Sequence, residues 1–446
     1  MSSARRLYIR SFGCQMNDYD AERIREILRR RGYQTTDDAE EADLVLLNTC
    51  SIREKAEAKV SSAAASFRGL KGRRPDVVLA VAGCVAQQEG ARLLERLPQV
   101  DLVFGPDNIG RCADLVERVR ESRRRVAVTD VIDVEDYTFL SADPRPEDVG
   151  TTVLVTIQKG CDNHCAYCVV PAVRGREVSR PLREVVAEVE RFVAAGAREV
   201  TLIGQNVDSY RGAGGGTDDF VTLLVAVARV PGLLRLRFTT SHPRDFTPAL
   251  ARAFHDLPVL QGWLHLPVQA GSSRVLAAMG RGYTREEYLA KVDLVRGLVP
   301  EIALTTDVIV GFPGETADEH RETLSLLEAV EFESIYSFAY SARPGTPAAA
   351  LRDDVPLEEK RARLHQVQAL QQLVTARRLA RLVGRRTPVL VEGESRRGEQ
   401  VCGRTPGNIV VNFAPAAGTA PGSLRGRIVP VHVTAAGTHT LRGEPA

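Results

Sequence analysis

The chain has 446 residues, 44% of them hydrophobic and 26% charged, and a formal net charge of +2, which is typical of a soluble globular protein of about three domains. No apolar run approaches the roughly 20 residues of a membrane span, and the N-terminus lacks a signal-peptide core, so we expect a cytoplasmic protein. The eight cysteines lie far apart except for one group, which excludes a disulfide-dense secreted framework and predicts free thiols or metal ligands.

Residues 5–121 alternate short apolar strands with amphipathic helices, which predicts a Rossmann-like α/β domain with a largely parallel sheet. The predicted elements are strands over Leu7–Phe12, Leu44–Leu47, Val77–Val81 and Leu102–Phe104, and a helix from Asp20 to Gly32. Cys14, Cys50 and Cys84 each follow one of the first three strands. Because the carboxyl ends of parallel strands meet at one edge, we expect a three-thiolate cluster there, although each cysteine alone also fits a small buried hydrophobe. Cys112 and Cys402 have no such placement, and we interpret both as structural.

Residues 122–150 are interpreted as a linker with an edge strand around Val126. Over residues 151–381 apolar strands again alternate with helices. The six predicted strands are Val153–Ile157, Glu199–Ile203, Leu234–Phe238, Trp263–Val268, Ala303–Val310 and Ser334–Tyr340. This pattern predicts a partial (β/α)6 barrel with its active site at the C-terminal ends of the strands. A long helix from Leu357 to Leu382 is expected to cover the barrel.

Three cysteines, Cys161, Cys165 and Cys168, follow the first barrel strand, with three residues between the first two and two residues between the last two. Three thiolates on a four-iron cluster leave one iron free to bind a reactant, whereas four ligands would close the site. The alternative is a zinc site completed by His164 or by a distant residue. An open coordination position predicts chemistry at this end of the barrel.

Polar and glycine-containing segments follow the later barrel strands. Together with Tyr167, they provide the candidate cofactor-binding residues Gly204, Gln205, Asn206, Gln269, Gly311 and Glu315. Such segments are often only turns, but four of them around one rim predict a pocket for a polar cofactor. The glycine-rich stretch over 211–216 follows no strand directly, and we interpret it as a flexible loop rather than a nucleotide-binding fingerprint.

Residues 382–446 contain five short predicted strands separated by Gly- and Pro-rich turns, which is typical of a small all-β barrel. From Arg381 onward the chain has nine arginines, four glutamates and no Lys or Asp, which sums to +5. Such a basic module suits a polyanionic partner, although arginine-rich surfaces are often only solvated.

The motifs taken together resemble those of the radical S-adenosylmethionine methylthiotransferases, and most closely the MiaB-type tRNA enzymes, over essentially the whole chain. They are the segments Ser11–Asn17, Leu47–Lys55, Gly83–Gln87, Cys161–Cys168, Pro171–Arg176, Ile203–Val207, Thr240–Pro243, Leu266–Gln269, Asp307–Glu315 and Tyr340–Thr346. The C-terminal segment is similar to a TRAM module.

This resemblance implies two [4Fe-4S] clusters, one on Cys14, Cys50 and Cys84 and one on Cys161, Cys165 and Cys168, and S-adenosylmethionine as cofactor. It implies methylthiolation of N6-(dimethylallyl)adenosine at position 37 of tRNA by a monomer that uses an external electron donor and sulfur source. Sister enzymes act on threonylcarbamoyl-adenosine or on a ribosomal-protein aspartate, and they stay open as alternatives. So does a zinc-stabilised RNA-binding protein without chemistry.

Overall fold

The computed structural model describes residues 4–51, 55–212, 218–395 and 400–446. Within these ranges it contains strands β1 to β19 and α-helices α1 to α14. The strands are β1 Arg5–Phe12, β2 Tyr33–Thr35, β3 Leu44–Thr49, β4 Val78–Gly83, β5 Leu102–Phe104, β6 Val126–Val128, β7 Thr152–Thr156, β8 Gln158–Lys159, β9 Val178–Ser179, β10 Glu199–Ile203, β11 Arg235–Phe238, β12 Trp263–His265, β13 Ala303–Val310, β14 Ser334–Ala339, β15 Arg386–Glu394, β16 Val401–Arg404, β17 Val410–Phe413, β18 Ile428–Ala436 and β19 Thr440–Pro445. The helices are α1 Gln15–Arg30, α2 Lys55–Ser66, α3 Arg68–Arg73, α4 Cys84–Glu89, α5 Ala91–Arg96, α6 Cys112–Ser122, α7 Val170–Arg174, α8 Leu182–Ala194, α9 Phe220–Ala228, α10 Pro248–Asp256, α11 Ser273–Ala278, α12 Arg285–Leu298, α13 Ala317–Val330 and α14 Leu357–Ala380.

The chain divides into two compact units. The first contains residues 1–143 together with the short segments 158–163 and 169–178, and the second contains 144–157, 164–168 and 179–446. The predicted loop over 211–216 lies mostly outside the described residues, as do residues 52–54 of one sequence motif. None of the helices in the described ranges is both long and apolar enough to cross a bilayer.

The first unit is built on a six-stranded, all-parallel sheet in the order β2-β1-β3-β4-β5-β6. Alternate residues of β3 pack on opposite faces of the sheet. Leu44 and Leu46 pack with α1 and α6, and Val45 and Leu47 pack with α2 to α5. All four are fully buried, as expected for a strand covered on both faces. The predicted α/β domain is therefore confirmed, and β6 confirms the edge strand expected around Val126.

The start of α1 differs from the prediction. The helix begins at Gln15, directly after its N-cap Cys14, and not at Asp20. Its first turn places Met16, Asn17 and Tyr19 in buried positions, and this polar run lacks the apolar periodicity that marks a helix in a sequence. The early start fixes Cys14 between the end of β1 and the first turn of α1.

The second unit contains a six-stranded half-barrel in which sequential strands are neighbours. β7, β10 and β11 form one parallel sheet, and β12, β13 and β14 form another. A parallel bridge between Leu236 and Leu260 joins the two. All six predicted strands are present, although β12 ends at His265 because Pro267 cannot extend the hydrogen-bonded ladder.

The helices of the second unit follow their sequence signals. α12 and α13 both begin with complete capping boxes, Thr284 with Glu287 and Thr316 with Glu319. The long helix α14 packs on β14 and α13, as expected for a cover, and ends two residues earlier than predicted. Its Gln371 and Thr375 donate hydrogen bonds to the carbonyls of Phe332 and Glu333, just before β14.

The C-terminal strands close into a five-stranded barrel in the order β15-β16-β17-β19-β18, as predicted. Its turn after β16 lies at the N-terminal end of the half-barrel. Arg235 of β11 donates to the carbonyls of Arg404 and Pro388, and Arg237 donates to those of Thr405 and Pro406. Both guanidinium groups are buried beside Glu199. The barrel and the half-barrel are therefore joined through buried, charge-assisted hydrogen bonds.

Candidate active site

Three cysteines of the first unit converge at the carboxyl edge of its sheet. Cys50 and Cys84 directly follow β3 and β4, and Cys14 follows β1 after one glycine; the three strands are adjacent in the sheet. A hydrogen bond from Cys50, aided by the charge of Arg174, lowers the pKa of Cys14 to about 6. Burial raises the pKa of Cys84, and Arg174 opposes this shift through its charge and a hydrogen bond. The predicted meeting of the three strand ends is therefore confirmed, while their cluster ligation stays a prediction.

Glycines and amides make this close approach possible. A β-carbon on Gly13 would lie 2.2 Å from Cβ of Cys50, and the φ of Gly13 is +151°, so a side chain is excluded there. Asn17 donates to the side-chain oxygen of Asn48 and to the carbonyl of Thr49, and Asn48 donates back to the carbonyl of Asn17. This reciprocal pair fixes the start of α1 against the end of β3.

Arg174, at the end of α7, reaches the same place from a distant part of the sequence. Its Nη2 donates to Oδ2 of Asp20 at 2.6 Å, and both side chains are 6% exposed. Val169 and Val173, near the same helix, pack directly against Cys84. The three thiols therefore lie beside a buried ion pair whose cation is directed toward them.

The segment that leads to Cys161 also belongs to the first unit. Lys159 forms a buried ion pair with Asp107 at 2.7 Å, and its ammonium lies 4.1 Å from the centre of the Tyr137 ring. Cys161 donates its backbone N–H to the carbonyl of Gly175, and its Sγ accepts from the N–H of Asn163 at 3.4 Å. These contacts fix the backbone at the start of the three-cysteine segment.

The second part of that segment, residues 164–168, is held by the second unit. Ala166 donates to the carbonyl of Met279 and accepts from the N–H of Ala348. A β-carbon on Gly280 would lie 2.8 Å from the carbonyl oxygen of His164, and the φ of Gly280 is +69°. Only glycine allows this close approach of the two backbones.

Buried polar side chains surround Cys165. Arg281 donates to Sγ of Cys165 at 3.3 Å and to the carbonyl of Pro267 at 2.7 Å, and it also contacts the hydroxyls of Tyr167 and Tyr283. Nε2 of His242 lies 3.9 Å from the same sulfur. Burial, with the charges of Arg281 and Arg244, lowers the pKa of His242 to about 2, so its imidazole is neutral near pH 7.

The candidate residues after β10 and β11 lie together at the rim. Thr240 donates to the carbonyl of Gly204 at 2.9 Å, and Asn206 donates to Asp245 at 2.7 Å. Asn206 is buried, whereas Gln205 is partly exposed. Thr240 has a φ of +71°, an uncommon conformation for a β-branched residue. Strain of this kind concentrates at functional sites.

The remaining rim candidates follow β12 and β13. Gln269, at a φ of +75°, bridges to β13 through its backbone. The side chain of Glu315 accepts from the N–H of Gly311 and pairs with Arg363 of α14 at 2.9 Å. Glu315 is 3% exposed. These contacts give Glu315 a structural role, and its contact with a cofactor stays a prediction.

One face of the half-barrel, called here the aromatic face, carries aromatic and acidic side chains of β12, β13 and β14. Trp263 lies parallel to His265 at 6.4 Å, and His265 meets Tyr336 edge-on at 6.1 Å. Nε2 of His265 lies 3.6 Å from Asp307, and Tyr336 is 54% exposed. On the opposite face of β13, Val308 is fully buried. The aromatic face thus offers flat apolar surfaces and the carboxylate of Asp307.

The cysteine donors fit an iron–sulfur cluster. Thiolates are the ligands these clusters prefer, and the three thiols of the first unit lie within hydrogen-bonding or charge-interaction range of one another. Within residues 4–51, 55–212, 218–395 and 400–446, no three Cys, His, Asp or Glu side chains are placed to hold a metal ion. A four-iron cluster bonds each thiolate to a different iron, so its ligands span more space than those of a single ion.

The sequence interpretation missed several residues near the cysteines. Arg174 lies 154 residues from Asp20, and Arg281 lies 116 residues from Cys165. Arg174 stands within a motif but at no strand end, and Arg281 follows a helix rather than a strand. No periodicity or spacing could connect these arginines with the cysteines.

Comparison with protein families assigns the three parts of the chain. Residues 6–105 match the model described as Uncharacterized protein family UPF0004, residues 155–327 match the Radical SAM superfamily, and residues 380–446 match the TRAM domain. Among solved structures, the chain is similar to a radical S-adenosylmethionine methyltransferase, TsrM, from Kitasatospora setae. The TM-score is 0.57 at 18% identity, covering 78% of this chain and 77% of that one. This likeness supports the fold alone.

Curated relatives match over the full length. A tRNA-2-methylthio-N(6)-dimethylallyladenosine synthase from Geobacter metallireducens is 50% identical over 100% of this chain and 99% of its own length. A protein of the same name from Leptothrix cholodnii is 47% identical over 100% of this chain and 94% of its own length. With its UPF0004, Radical SAM and TRAM regions in this order, the chain belongs to the tRNA-2-methylthio-N(6)-dimethylallyladenosine synthase family.

Proposed function

We propose that this protein adds a methylthio group to N6-(dimethylallyl)adenosine at position 37 of tRNA, beside the anticodon, by radical S-adenosylmethionine chemistry. The observation that carries the proposal is the convergence of Cys14, Cys50 and Cys84 at one sheet edge, in a chain that also carries the three-cysteine segment. One set of thiols would serve radical formation and the other would hold the sulfur to be inserted. The full-length relatives support the substrate.

We assign one [4Fe-4S] cluster to Cys161, Cys165 and Cys168, and a second to Cys14, Cys50 and Cys84. Bound at these thiolates, the first would supply the electron that cleaves S-adenosylmethionine, and the second would carry sulfur at its open iron. Arg281 donates a hydrogen bond to Sγ of Cys165 and would place a positive charge beside a cluster bound there. The neutral imidazole of His242 adds no charge there. Tyr167, Gly204, Gln205, Asn206, Gln269, Gly311 and Glu315 are the proposed contacts of S-adenosylmethionine.

The aromatic face of the half-barrel supports a base as the reacting group. A base in a single-stranded loop can be splayed out and stacked on aromatic side chains. Trp263 and Tyr336 provide such surfaces in the same unit as Cys165. A dimethylallyl group would also make apolar contacts there. These contacts favour an adenine with a prenyl substituent over an adenine with a charged substituent.

The remaining parts of the proposal concern domains and partners. We assign residues 5–121 to the methylthiotransferase domain, 122–150 to a linker, 151–381 to the radical core and 382–446 to the RNA-binding TRAM-like barrel. A one-electron donor, a sulfur donor and a second molecule of S-adenosylmethionine, which supplies the methyl group, complete the reaction. We expect a monomer in the cytoplasm, where its tRNA substrate is found.

The decisive experiment uses anaerobically reconstituted protein, S-adenosylmethionine, a reductant and tRNA that carries either isopentenyl- or threonylcarbamoyl-adenosine. Digested nucleosides are analysed by mass spectrometry. A methylthio product on the first tRNA alone supports the proposal. Product on the second alone would assign the chain to the sister enzymes, and colourless, zinc-containing protein would support the RNA-binding alternative.

Variants separate the two cysteine sets. Cys165→Ala should abolish cleavage of S-adenosylmethionine while iron stays bound to the first unit. Cys50→Ala should preserve cleavage but abolish methylthio transfer. Cys112→Ala is the matched control, because Cys112 is a buried cysteine of the same unit, at the first position of α6 and packed in the core. Loss of both activities in both ligand variants would contradict two independent sites.

A further inference from the structure

Arg174 has no role in the function proposed above, although its charge acts on two thiols of the first unit, those of Cys14 and Cys84. It is 5% exposed, donates to Asp20 at 2.6 Å, and interacts with both Cys84 and Cys14. Its helix also contributes Val173 to the apolar contact around Cys84. The guanidinium therefore has a fixed position, with the carboxylate and the thiols as its neighbours.

Stability alone does not explain a buried ion pair, because a well-packed apolar pair of similar volume often stabilises the fold equally well. The arrangement of charges offers an explanation. With a cluster bound, three thiolates would carry negative charge at a largely buried edge, and each anion taken out of water is destabilised unless a cation lies close to it. Arg174 supplies that cation, and Asp20 fixes its orientation and offsets part of its charge.

We propose that Arg174, held by Asp20, is an electrostatic positioning residue that controls how readily the cluster site of Cys14, Cys50 and Cys84 takes up negative charge. Negative charge enters this site in two ways: as an electron and as an anionic sulfur ligand. The inference rests on the proposed function, because it assumes that a cluster binds to these three cysteines.

The electrostatics predict opposite effects for the two partners. Arg174→Gln removes the cation beside the thiolates, so the reduction potential of the cluster should become more negative and the affinity for hydrosulfide should fall. Asp20→Asn keeps the cation and removes the carboxylate, so both quantities should change in the opposite direction. Arg174→Lys keeps the charge and should retain most of the parental potential. A role in packing alone gives no reason for opposite signs.

The experiment uses the full chain with Cys161, Cys165 and Cys168 replaced by Ala, so that only the cluster of the first unit is measured. Iron content is determined first, and the midpoint potential is then obtained by a redox titration followed by electron paramagnetic resonance. Sodium sulfide serves as the probe for anion binding. Arg23→Gln is the matched control, because Arg23 lies on the same helix as Asp20, is 7% exposed and pairs with Glu26. It should leave the potential unchanged.

The outcomes separate this inference from the proposed function. Parental protein without iron would refute the cluster site itself. With iron bound, shifts of opposite sign for Arg174→Gln and Asp20→Asn support the role of Arg174. Equal shifts, shifts of the same sign, or no difference from Arg23→Gln would overturn it. If Arg174→Gln does not fold, Asp20→Asn and Arg174→Lys still decide, because the first should raise the potential and the second should not.

Discussion

At the scale of single residues, the environment of each cysteine sets its chemistry. Cys14 forms a hydrogen bond with Cys50 and interacts with the positive charge of Arg174. Cys112, in contrast, is surrounded by the apolar core of the first unit. The same side chain is therefore a ready thiolate at one position and an inert hydrophobe at the other. Burial raises the pKa of Cys112 to about 12, which agrees with its predicted structural role.

In metal-free protein, we expect iodoacetamide to alkylate Cys14 with a pH midpoint near its pKa of about 6. Below this pH the thiol is protonated and unreactive, and above it the thiolate reacts. Cys112 should stay unmodified at pH 8 and serves as the internal control. Cys50→Ala removes the hydrogen bond and should move the midpoint upward. Peptide mass spectrometry measures both sites, and a midpoint near the usual value of about 8.5 would contradict the geometry.

Tyr336 provides a residue-scale test of base binding. Loss of its ring should weaken the stacking of a splayed base by about 1–3 kcal/mol, or about 5- to 150-fold in KM for prenylated tRNA. Tyr336→Phe keeps the ring and should stay close to the parental value. Leu373→Ala, at another exposed apolar side chain, is the control for surface changes elsewhere. Equal KM values for Tyr336→Ala and Leu373→Ala would exclude this face.

At the scale of elements, backbone contacts position the three-cysteine segment. Residues 164–168 contain no helix or strand, and the backbone of Ala166 is hydrogen-bonded to Met279 and Ala348, which lie in distant parts of the chain. The conformation of such a loop therefore depends on the positions of the residues that it contacts. The turn at Met279–Arg281 supplies both the close backbone contact and the guanidinium that reaches Cys165.

Gly280→Ala should disturb this contact, because its Cβ would meet the carbonyl of His164 and its φ is positive. We expect a loss of about 1–3 kcal/mol in the free energy of unfolding, with reduced iron at the three-cysteine segment. Gly297→Ala is the matched control: Gly297 lies within α12 with open space around it, so alanine should be neutral or stabilising. Urea unfolding and iron analysis of both variants test this, and equal behaviour would refute the close contact.

At the scale of the whole molecule, the C-terminal barrel is joined to the half-barrel by buried arginines. Removal of the residues after Leu382 would leave Arg235 and Arg237 without their four carbonyl acceptors. Both side chains would keep Glu199 as an ion-pair partner but lose the charge-assisted hydrogen bonds that join the barrel to the half-barrel. A truncated chain would therefore lose stability as well as RNA contacts, and surface substitutions give the cleaner test of RNA binding.

Replacing the exposed Arg386, Arg427 and Arg442 of the C-terminal barrel with Gln should weaken tRNA binding and lower its salt dependence. If each arginine contacts one phosphate, the slope of log K against log salt should fall by about 2 to 3. Arg252→Gln, at an exposed position of α10, is the control and should keep the parental slope. Fluorescence anisotropy at several salt concentrations measures the slope, and an unchanged value in the triple variant would refute phosphate contacts by this barrel.

The sequence alone determined the alternation of strands and helices, the placement of three cysteines just after three strands, and the three-cysteine spacing. These features are local, because periodicity, turn residues and strand ends are set by residues close together in the chain. Only the tertiary structure decided which cations lie beside the thiols, since Arg174 and Arg281 are joined to Asp20 and Cys165 across more than a hundred residues. Burial then gives those arginines their effect, because charges interact strongly only where water is excluded.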